Sequence, residues 1–181
     1  MINIIVAYNN KRVIGKDNQL LWHIKEDLAR FKNLTKYDTV IMGRKTWESL
    51  PKLFLVDRHN IVITRDIKKC VEIYEKYAMA PSPTKVEFYN NLEGVIKQTK
   101  GDIWIIGGSQ IYSQVLDMNI VDNIYATEVD NNLDGDSYFP KINMDKWVVF
   151  NKQMHDGFAF TQYVSKYKSS VSPLFTDTYN F

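Results

Sequence analysis

The chain has 181 residues, of which 45% are apolar and 24% are charged, a composition typical of one globular domain with a sizeable core. Its formal net charge of +2 is too small for a dedicated binder of nucleic acid or of membrane surfaces, and its single cysteine, Cys70, excludes an intrachain disulfide and a metal site of paired cysteines. We see no secretory signal and no apolar run near the roughly 20 residues of a membrane span, so we expect a cytoplasmic protein.

In the first half of the chain, predicted strands alternate with helices. Residues 2–8 are apolar and β-branched, as in a buried strand, whereas the turn-forming residues of 9–24 predict a loop. Apolar residues at helical spacing predict a helix over 25–35. The remaining predicted elements of this half are strands over 38–42 and 59–64 and a short helix over 44–50.

The second half ends in strands that no helix separates. The stretch 71–90 is ambiguous, because VEIY (71–74) has the composition of a strand and Pro81 and Pro83 interrupt whatever precedes them. Beyond it, the pattern predicts helices over 92–99 and 109–117 and strands over 102–108, 121–129, 147–153 and 158–167. The last two strands join at the His155–Gly157 turn, so we expect them to be antiparallel.

Together these elements predict an α/β fold of three layers. The alternation of strands and helices favours a central, twisted, mostly parallel sheet that is covered on both faces. We expect about eight strands with an antiparallel C-terminal edge, flanked by about four helices. Residues 1–168 are expected to form this domain, and residues 169–181 a C-terminal extension.

Asp27 is the first candidate for chemistry. It lies in the first turn of the helix predicted over 25–35, beside the apolar residues Leu28 and Phe31. An acid in this position is often no more than a complement to the helix dipole, but Glu26 already fills that role. An acid that points inward is costly without a cationic or donor-rich partner, and a ligand with an amidine-like edge would be such a partner.

Two glycine-containing turns indicate a phosphate ligand. Gly43–Thr46 and Gly107–Gln110 each follow a predicted strand and open a helix, where free N–H groups and the helix dipole favour anions. Thr64 and Arg65 end a third strand, and all three elements belong to the carboxyl edge of the sheet, where open α/β sheets bind ligands. This combination predicts a dinucleotide with several phosphates, although the Gly-x-Gly-x-x-Gly fingerprint of ordinary Rossmann domains is absent.

A metal site is not expected. The three histidines, His23, His59 and His155, are dispersed without the spacing of metal ligands, and we expect them to be surface or packing residues. Trp47, Trp104 and Trp147 are expected to pack in the core, as is Cys70.

A series of motifs, in order over residues 2–167, resembles the dihydrofolate reductase family. The motifs are Ile14-Gly15, Leu21-Trp22, Asp27-Leu28-x-x-Phe31-Lys32, Val40–Ser49, Arg58, Asn60, Thr64-Arg65, Ile106-Gly107-Gly108-x-x-Ile111-Tyr112, Thr127 and Asp134-Gly135-Asp136-x-x-Phe139-Pro140. The resemblance implies the NADPH-dependent reduction of 7,8-dihydrofolate to 5,6,7,8-tetrahydrofolate, which supplies one-carbon carriers for thymidylate and purine synthesis. It also implies a monomer, dihydrofolate and antifolates as small-molecule ligands, and an adenosine-binding part over about 38–99.

On the substrate side, the resemblance implies that Asp27 hydrogen-bonds the pterin ring and that Thr127 supports this carboxylate. Trp22 would contact the pterin through water, and Arg58 would pair with the α-carboxylate of the glutamate tail, because its planar fork matches a carboxylate. The other implied substrate contacts are Ile5, Val6, Ala7, Leu28, Phe31, Lys32, Ser49, Leu50, Leu55 and Ile106.

On the cofactor side, the resemblance implies that Arg44, Thr64 and Arg65 hold the 2′-phosphate that distinguishes NADPH from NADH. Tyr112 would lie near the nicotinamide, and the peptide between Gly107 and Gly108 would be cis. The other implied cofactor contacts are Ala7, Ile14, Gly15, Leu20, Gly43, Lys45, Thr46, Ser109, Gln110 and Ile111.

The chain departs from the family pattern at two places near this site. Leu21 stands before Trp22 where the family usually has proline, which predicts a less rigid 9–24 loop. Phe54–Asp57 replaces the usual Pro-Leu-Pro-Gly turn before Arg58, so the arginine is kept in a changed turn.

Two other functions and one unassigned segment stay open at the level of sequence. A reductase of the same fold could act on a pyrimidine of riboflavin synthesis, but it would have no need of Asp27, Phe31 and Arg58 together. A binding or structural protein with a vestigial site is the other alternative. The extension over 169–181 is either a frayed terminus or, since it contains four large apolar side chains, a segment that docks on its own domain or on a partner protein.

Overall fold

A computed structural model of the protein describes residues 1–78 and 84–167. Its strands are β1 (Ile2–Asn9), β2 (Val13–Gly15), β3 (Thr39–Gly43), β4 (His59–Ile63), β5 (Lys85–Tyr89), β6 (Ile103–Gly107), β7 (Asn123–Val129), β8 (Ser137–Tyr138), β9 (Trp147–His155) and β10 (Phe158–Ser165). Its helices are α1 (Lys25–Thr35), α2 (Arg44–Glu48), α3 (Ile67–Tyr77), α4 (Leu92–Gln98) and α5 (Ser109–Asp117). The predicted extension over 169–181 lies outside the described residues, as do Pro81 and Pro83.

Eight strands form one sheet in the order β5-β4-β3-β6-β1-β7-β10-β9. The first six strands of this order are parallel, and β10 runs antiparallel to both β7 and β9. This confirms the predicted mixed sheet with its antiparallel C-terminal edge. Because the parallel strands share one direction, the turns after β3, β4 and β6 lie along the same edge of the sheet.

Two apolar clusters, one on each face of the sheet, make up the core. One joins residues of α1, α2 and α3 to the sheet, and Trp47 and Trp104 are buried in it. The other joins α4 and α5 to the opposite face and includes Val6 and Tyr112. Helices therefore cover both faces, as expected for three layers.

The structure assigns the ambiguous stretch 71–90 and corrects the predicted loop over 9–24. Residues 71–74 belong to α3 and not to a strand. Asp66 precedes the first residue of this helix, and its side chain caps the helix by accepting a hydrogen bond from the Lys69 amide. Within the predicted loop 9–24, Val13–Gly15 forms β2, which pairs with β8 in a separate two-stranded sheet. The described residues contain five helices, and β5 pairs with β4 in a stretch the sequence left ambiguous.

One smaller expectation is confirmed. Trp47, Trp104, Trp147 and Cys70 are all buried, as predicted for packing residues. In the described part of the chain, no helix is both long and apolar enough to span a membrane.

Candidate active site

Asp27 lies in the first turn of α1 and meets β7. The Oγ1 atom of Thr127 donates a hydrogen bond to its Oδ1 over 2.5 Å, and Thr127 itself is buried. The two residues are 100 positions apart in the chain, so the contact exists only because α1 packs on the sheet face to which Thr127 points. The structure thus brings together the two residues that the family resemblance paired.

The surroundings of Asp27 favour its protonated form more than water does. Burial raises the pKa of Asp27, and the Thr127 hydrogen bond and the charge of Arg30 offset only part of that rise. Burial, followed by the nearby Asp27 charge, also raises the pKa of Tyr112, which therefore stays neutral. The Tyr112 hydroxyl donates to the carbonyl oxygen of Ile5 over 2.8 Å and so ties α5 to β1.

Five of the ten further residues implied as substrate contacts belong to one apolar cluster on the face of Asp27. They are Ile5, Phe31, Leu50, Leu55 and Ile106.

The other five predicted substrate contacts do not belong to this cluster. Leu28 is 40% exposed on α1, Lys32 and Ser49 are exposed, and Ala7 is half-buried. The side chain of Val6 packs in the cluster on the opposite face, because successive residues of a strand point to opposite faces. The side chain of Val6 is therefore not a substrate contact on the Asp27 face, and the expectation is corrected to a contact through its backbone.

The turn that precedes Arg58 contains neither glycine nor proline. Asp57 takes the left-handed conformation, with φ of 59°, at the place where the family usually has glycine. The side-chain amide of Asn60 accepts from the Leu55 amide over 2.8 Å and donates to the Leu55 carbonyl oxygen over 2.9 Å, which fixes the segment that precedes Arg58.

The Arg58 guanidinium is largely bound by the protein itself. Its Nε donates to Thr35 Oγ1 over 2.8 Å, and its two terminal nitrogens donate to the carbonyl oxygens of Val56, over 2.6 Å, and Lys32, over 3.2 Å. Since arginine has five N–H donors, two remain for a ligand.

The two glycine-containing turns meet at the carboxyl edge of the sheet. A Cβ atom on Gly43 would lie 3.2 Å from Ile111 Cγ1, and one on Gly108 would lie 3.4 Å from Thr46 Oγ1. The Gly107–Gly108 peptide is cis, as the resemblance implied. No side chain caps the first turn of α2 or of α5. Adjacent uncapped helix N-termini fit a ligand with more than one phosphate.

The three residues predicted to bind the 2′-phosphate differ in exposure and in their hydrogen bonds to the protein. The Nη1 atom of Arg44 donates to both carboxylate oxygens of Glu48, over 2.7 and 2.8 Å, whereas Arg65 is exposed. Thr64 is buried, and its hydroxyl oxygen accepts from the Asp66 amide over 3.2 Å. Of the three predicted ligands of the 2′-phosphate, Arg65 is therefore the exposed one.

Comparisons with known proteins agree with this geometry. A family model described as dihydrofolate reductase matches residues 1–169. A dihydrofolate reductase of Neisseria gonorrhoeae is 40% identical over 148 residues, which cover 81% of this chain and 83% of that protein. One of Staphylococcus haemolyticus is 36% identical over 152 residues, which cover 81% of this chain and 80% of that protein. The chain belongs to the dihydrofolate reductase family.

The fold of the family is also found among solved structures. A structure described as dihydrofolate reductase from Enterococcus faecalis complexed with NADP(H) and RAB-propyl matches with a TM-score of 0.73 and 24% identity, over 92% of this chain and 96% of that chain. As a member of the family, the chain is an NADP(H)-dependent oxidoreductase of folate metabolism.

The loop that precedes α1 carries the remaining residues that the family resemblance singled out. Ile14 and Gly15 lie in β2, and Gly15 accepts a hydrogen bond from the Asp136 amide over 3.2 Å. Leu20 is 64% exposed. The Nε1 atom of Trp22 is buried and has no hydrogen-bond partner among the described residues.

The helix N-terminus at Gly108 carries two predicted contacts. The Ser109 hydroxyl lies 2.7 Å from that of Ser137 and accepts from the Tyr138 amide, whereas Gln110 is exposed, as is Lys45 at the start of α2. Ser109 therefore joins α5 to β8, and its hydroxyl is engaged with protein groups.

Sequence reasoning missed Arg30, whose charge acts on Asp27. The available signal was its spacing, because residues three apart share a face of a helix. Within residues 1–78 and 84–167, no group of three or more His, Cys, Asp or Glu side chains could hold a metal ion.

Proposed function

We propose that this chain reduces 7,8-dihydrofolate to 5,6,7,8-tetrahydrofolate with NADPH and that Asp27 is the carboxylate that binds the pterin ring. The observation that carries this role is the Asp27–Thr127 pair on a buried sheet face. A half-buried carboxylate with a single side-chain donor keeps acceptor capacity for a ligand that presents two N–H groups side by side. The N3 and 2-amino groups of a pterin form such an edge.

The cofactor site rests on the turns after β3 and β6. Gly43, Thr46 and Gly108 bring two helix N-termini together, and these fit the pyrophosphate. Arg44, Thr64 and Arg65 hold the 2′-phosphate. The other cofactor contacts are Ala7, Ile14, Gly15, Leu20, Lys45, Gly107, Ser109, Gln110, Ile111 and Tyr112.

The apolar cluster on the face of Asp27 excludes water from the reacting rings. Phe31, Leu50 and Leu55 wall the pterin and aminobenzoyl groups, with Ile5 and Ile106 at the base. Arg58 directs its two remaining N–H donors at the α-carboxylate of the glutamate tail. The substrate end is completed by Ala7, Leu28, Lys32 and Ser49.

The protein contributes placement and electrostatics to the reaction. When bound, NADPH supplies a hydride for C6 of the pterin. N5 gains a proton in the same reduction. Asp27 binds the far side of the pterin ring, so water that reaches N5 as the 9–24 loop moves is the proton donor, and Asp27 favours the protonated ring. Trp22 holds a water near the pterin, which accounts for its buried Nε1 donor.

The test is an activity assay with purified protein. We expect NADPH oxidation that depends on dihydrofolate and yields tetrahydrofolate in equal amount. Oxidation with a riboflavin-pathway pyrimidine but not with dihydrofolate would assign the related reductase instead. Tight binding of both ligands without turnover would assign a binding protein with a vestigial site.

Three broader properties belong to this proposal. The described domain acts as a monomer, since the family resemblance places the whole site in one chain, and it acts in the cytoplasm, where folate-dependent synthesis takes place. Residues 169–181 form an extension that the reaction does not need. Their four large apolar side chains are suited to contact with their own domain or with a partner protein.

A further inference from the structure

Arg30 occupies an unusual position for a charged side chain. It lies three residues after Asp27 on α1, between that helix and the sheet. Its guanidinium carbon is 4.4 Å from the centroid of the Phe160 ring and 5.7 Å from that of Tyr125. Its Nη1 atom donates to the carbonyl oxygen of Ala126 over 3.3 Å. An aromatic face and a backbone carbonyl therefore hold the cation in place.

The strand register explains why Arg30 lies beside the active site. Phe160 of β10 pairs with Thr127 of β7, and Tyr125 is two residues before Thr127, so the three side chains share one face of the sheet. This is the face on which Thr127 bonds Asp27. The site that holds Arg30 and the site that holds Asp27 are neighbours on the same two strands.

Arg30 acts on Asp27 without bonding to it. Both residues lie in the described part of the chain, where they form no ion pair, so Arg30 leaves the Asp27 carboxylate oxygens available. The groups that act on Asp27 there are Thr127 on β7, which donates a hydrogen bond, Tyr112 on α5, which is neutral, and Arg30 on its own helix. Arg30 is the charged member of this set.

We propose that Arg30 is a positioning residue whose guanidinium, held by the Phe160 ring and the Ala126 carbonyl, keeps the neighbouring Asp27 carboxylate ionised for the pterin while leaving its oxygens free. Burial opposes ionisation of Asp27, and the fixed cation three residues further along the same helix offsets part of that cost. The inference rests on the proposed role of Asp27.

The experiment compares variants of Arg30 in the full-length enzyme. Arg30→Gln removes the charge but keeps a donor for Ala126, Arg30→Met removes both, and Arg30→Lys keeps the charge. Lys25→Met is the matched control, because Lys25 is an exposed cation on the same helix. The readouts are the titration of the Asp27 carboxyl carbon by NMR, the pH profile of kcat/KM for dihydrofolate, and the Kd of NADPH.

We expect the Asp27 titration and the acid limb of kcat/KM to move to higher pH in Arg30→Gln and Arg30→Met. On that limb kcat/KM should fall by roughly two- to tenfold relative to the parent enzyme, through KM rather than kcat. Arg30→Lys and Lys25→Met should keep the parent profile, and the Kd of NADPH should not change in any variant.

Two results would overturn the inference. One is a parent-like Asp27 titration in Arg30→Gln, and the other is an equal shift in Arg30→Lys, which would assign the effect to packing. Failure of the proposed function is a different result, namely an Asp27→Asn variant with full activity. Should Arg30→Gln or Arg30→Met not fold, Phe160→Leu keeps Arg30 but removes its ring; it should shift the profile in the same direction, and an unchanged profile would overturn the inference.

Discussion

Two carboxylates lie at β7 on opposite faces of the sheet. Asp27 receives a bond from Thr127 on one face, and Glu128, the next residue, points to the other. Glu128 accepts from the hydroxyls of Tyr8, Tyr163 and Thr161, over 3.1, 2.5 and 3.0 Å, and from the ammonium of Lys152 over 2.8 Å. Glu128 is saturated by the protein, whereas Asp27 is not.

The two environments move the carboxylate pKa values in opposite directions. Burial acts to raise both, but at Glu128 the hydrogen bonds from Lys152, Tyr163 and Thr161 outweigh it and lower the pKa. At Asp27, Thr127 and Arg30 do not outweigh it, and the pKa is raised. A carboxylate with its donors already in place supports the fold, and one with too few is suited to a ligand.

The largest expected effect tests this difference through turnover. Asp27→Asn keeps the shape but removes the charge that the pterin needs, so kcat/KM should fall by roughly 10²- to 10⁴-fold at neutral pH, with NADPH binding intact. Glu128→Gln makes the same chemical change on the other face and should stay within about threefold of the parent enzyme. Less than a tenfold loss in Asp27→Asn would remove it from the pterin site.

The next effect concerns the cations of the cofactor site. The double variant Arg44→Ala/Arg65→Ala should lower the preference for NADPH over NADH by roughly tenfold or more per arginine, since a charge-assisted contact contributes about 1.5–3 kcal/mol. The measurement is the Kd of each cofactor. Equal losses for NADPH and NADH would mean that both arginines support the fold, as Glu128 does.

Arg58 sharpens the comparison, because the protein binds its guanidinium and we propose that the substrate does so as well. Arg58→Leu should weaken dihydrofolate and methotrexate, which share the glutamate tail, by about tenfold or more, while trimethoprim, which lacks the tail, should be little affected. The variant should also lower stability, because three donors to Thr35, Val56 and Lys32 are lost. A uniform loss of affinity for the three ligands would indicate local misfolding alone.

Stability should respond to the two carboxylates with opposite signs. Because the folded pKa of Glu128 lies below its ordinary 4.5, its contribution is present above that pH and is lost as pH falls through the folded value. Glu128→Gln should therefore lower the free energy of unfolding by roughly 1–3 kcal/mol at neutral pH, and the difference should shrink in acid.

The folded pKa of Asp27 lies above its ordinary 3.8, so its ionisation costs stability at neutral pH, and this cost disappears as pH falls through the raised value. Asp27→Asn should therefore be as stable as the parent or more so at neutral pH, and the gain should fade in acid. Denaturant titrations across this range measure both variants. A destabilised Asp27→Asn would place Asp27 with the structural carboxylates.

The smallest effect concerns the segment beyond the described domain. Truncation after Lys168 should leave turnover within about twofold. A drop of several degrees in melting temperature would indicate docking on the same domain, because 1 kcal/mol corresponds to about 2–8 °C in domains of this size. An inactive truncated protein would contradict the proposal that the reaction does not need residues 169–181.

How far the sequence predicts the molecule depends on whether the cause is local. The mixed sheet follows from short apolar runs between helices, and the family motifs identify Asp27 and Thr127. Residues 71–74 stayed ambiguous because their β-branched and aromatic residues suit a strand, whereas the Asp66 cap and packing against the sheet select a helix.

The part of the site that escaped prediction depends on contacts far apart in the sequence. Arg30 is informative only once Phe160 is known to lie beneath its guanidinium. In the same way, the turn before Arg58 is maintained without glycine, because Asp57 adopts the left-handed conformation and Asn60 ties Leu55. Apart from the helical spacing of Arg30 from Asp27, neither arrangement has a signature in a single sequence.

The bonds of Arg58 also bear on how this enzyme can evolve under selection by inhibitors. Thr35 Oγ1 and the carbonyl oxygens of Val56 and Lys32 accept hydrogen bonds from this guanidinium. A mutation that escapes an inhibitor by discarding Arg58 would leave those groups without it and would weaken the enzyme it was meant to protect. Inhibitors anchored to Arg58 therefore face a narrower set of viable resistance mutations than inhibitors anchored to the exposed Leu28.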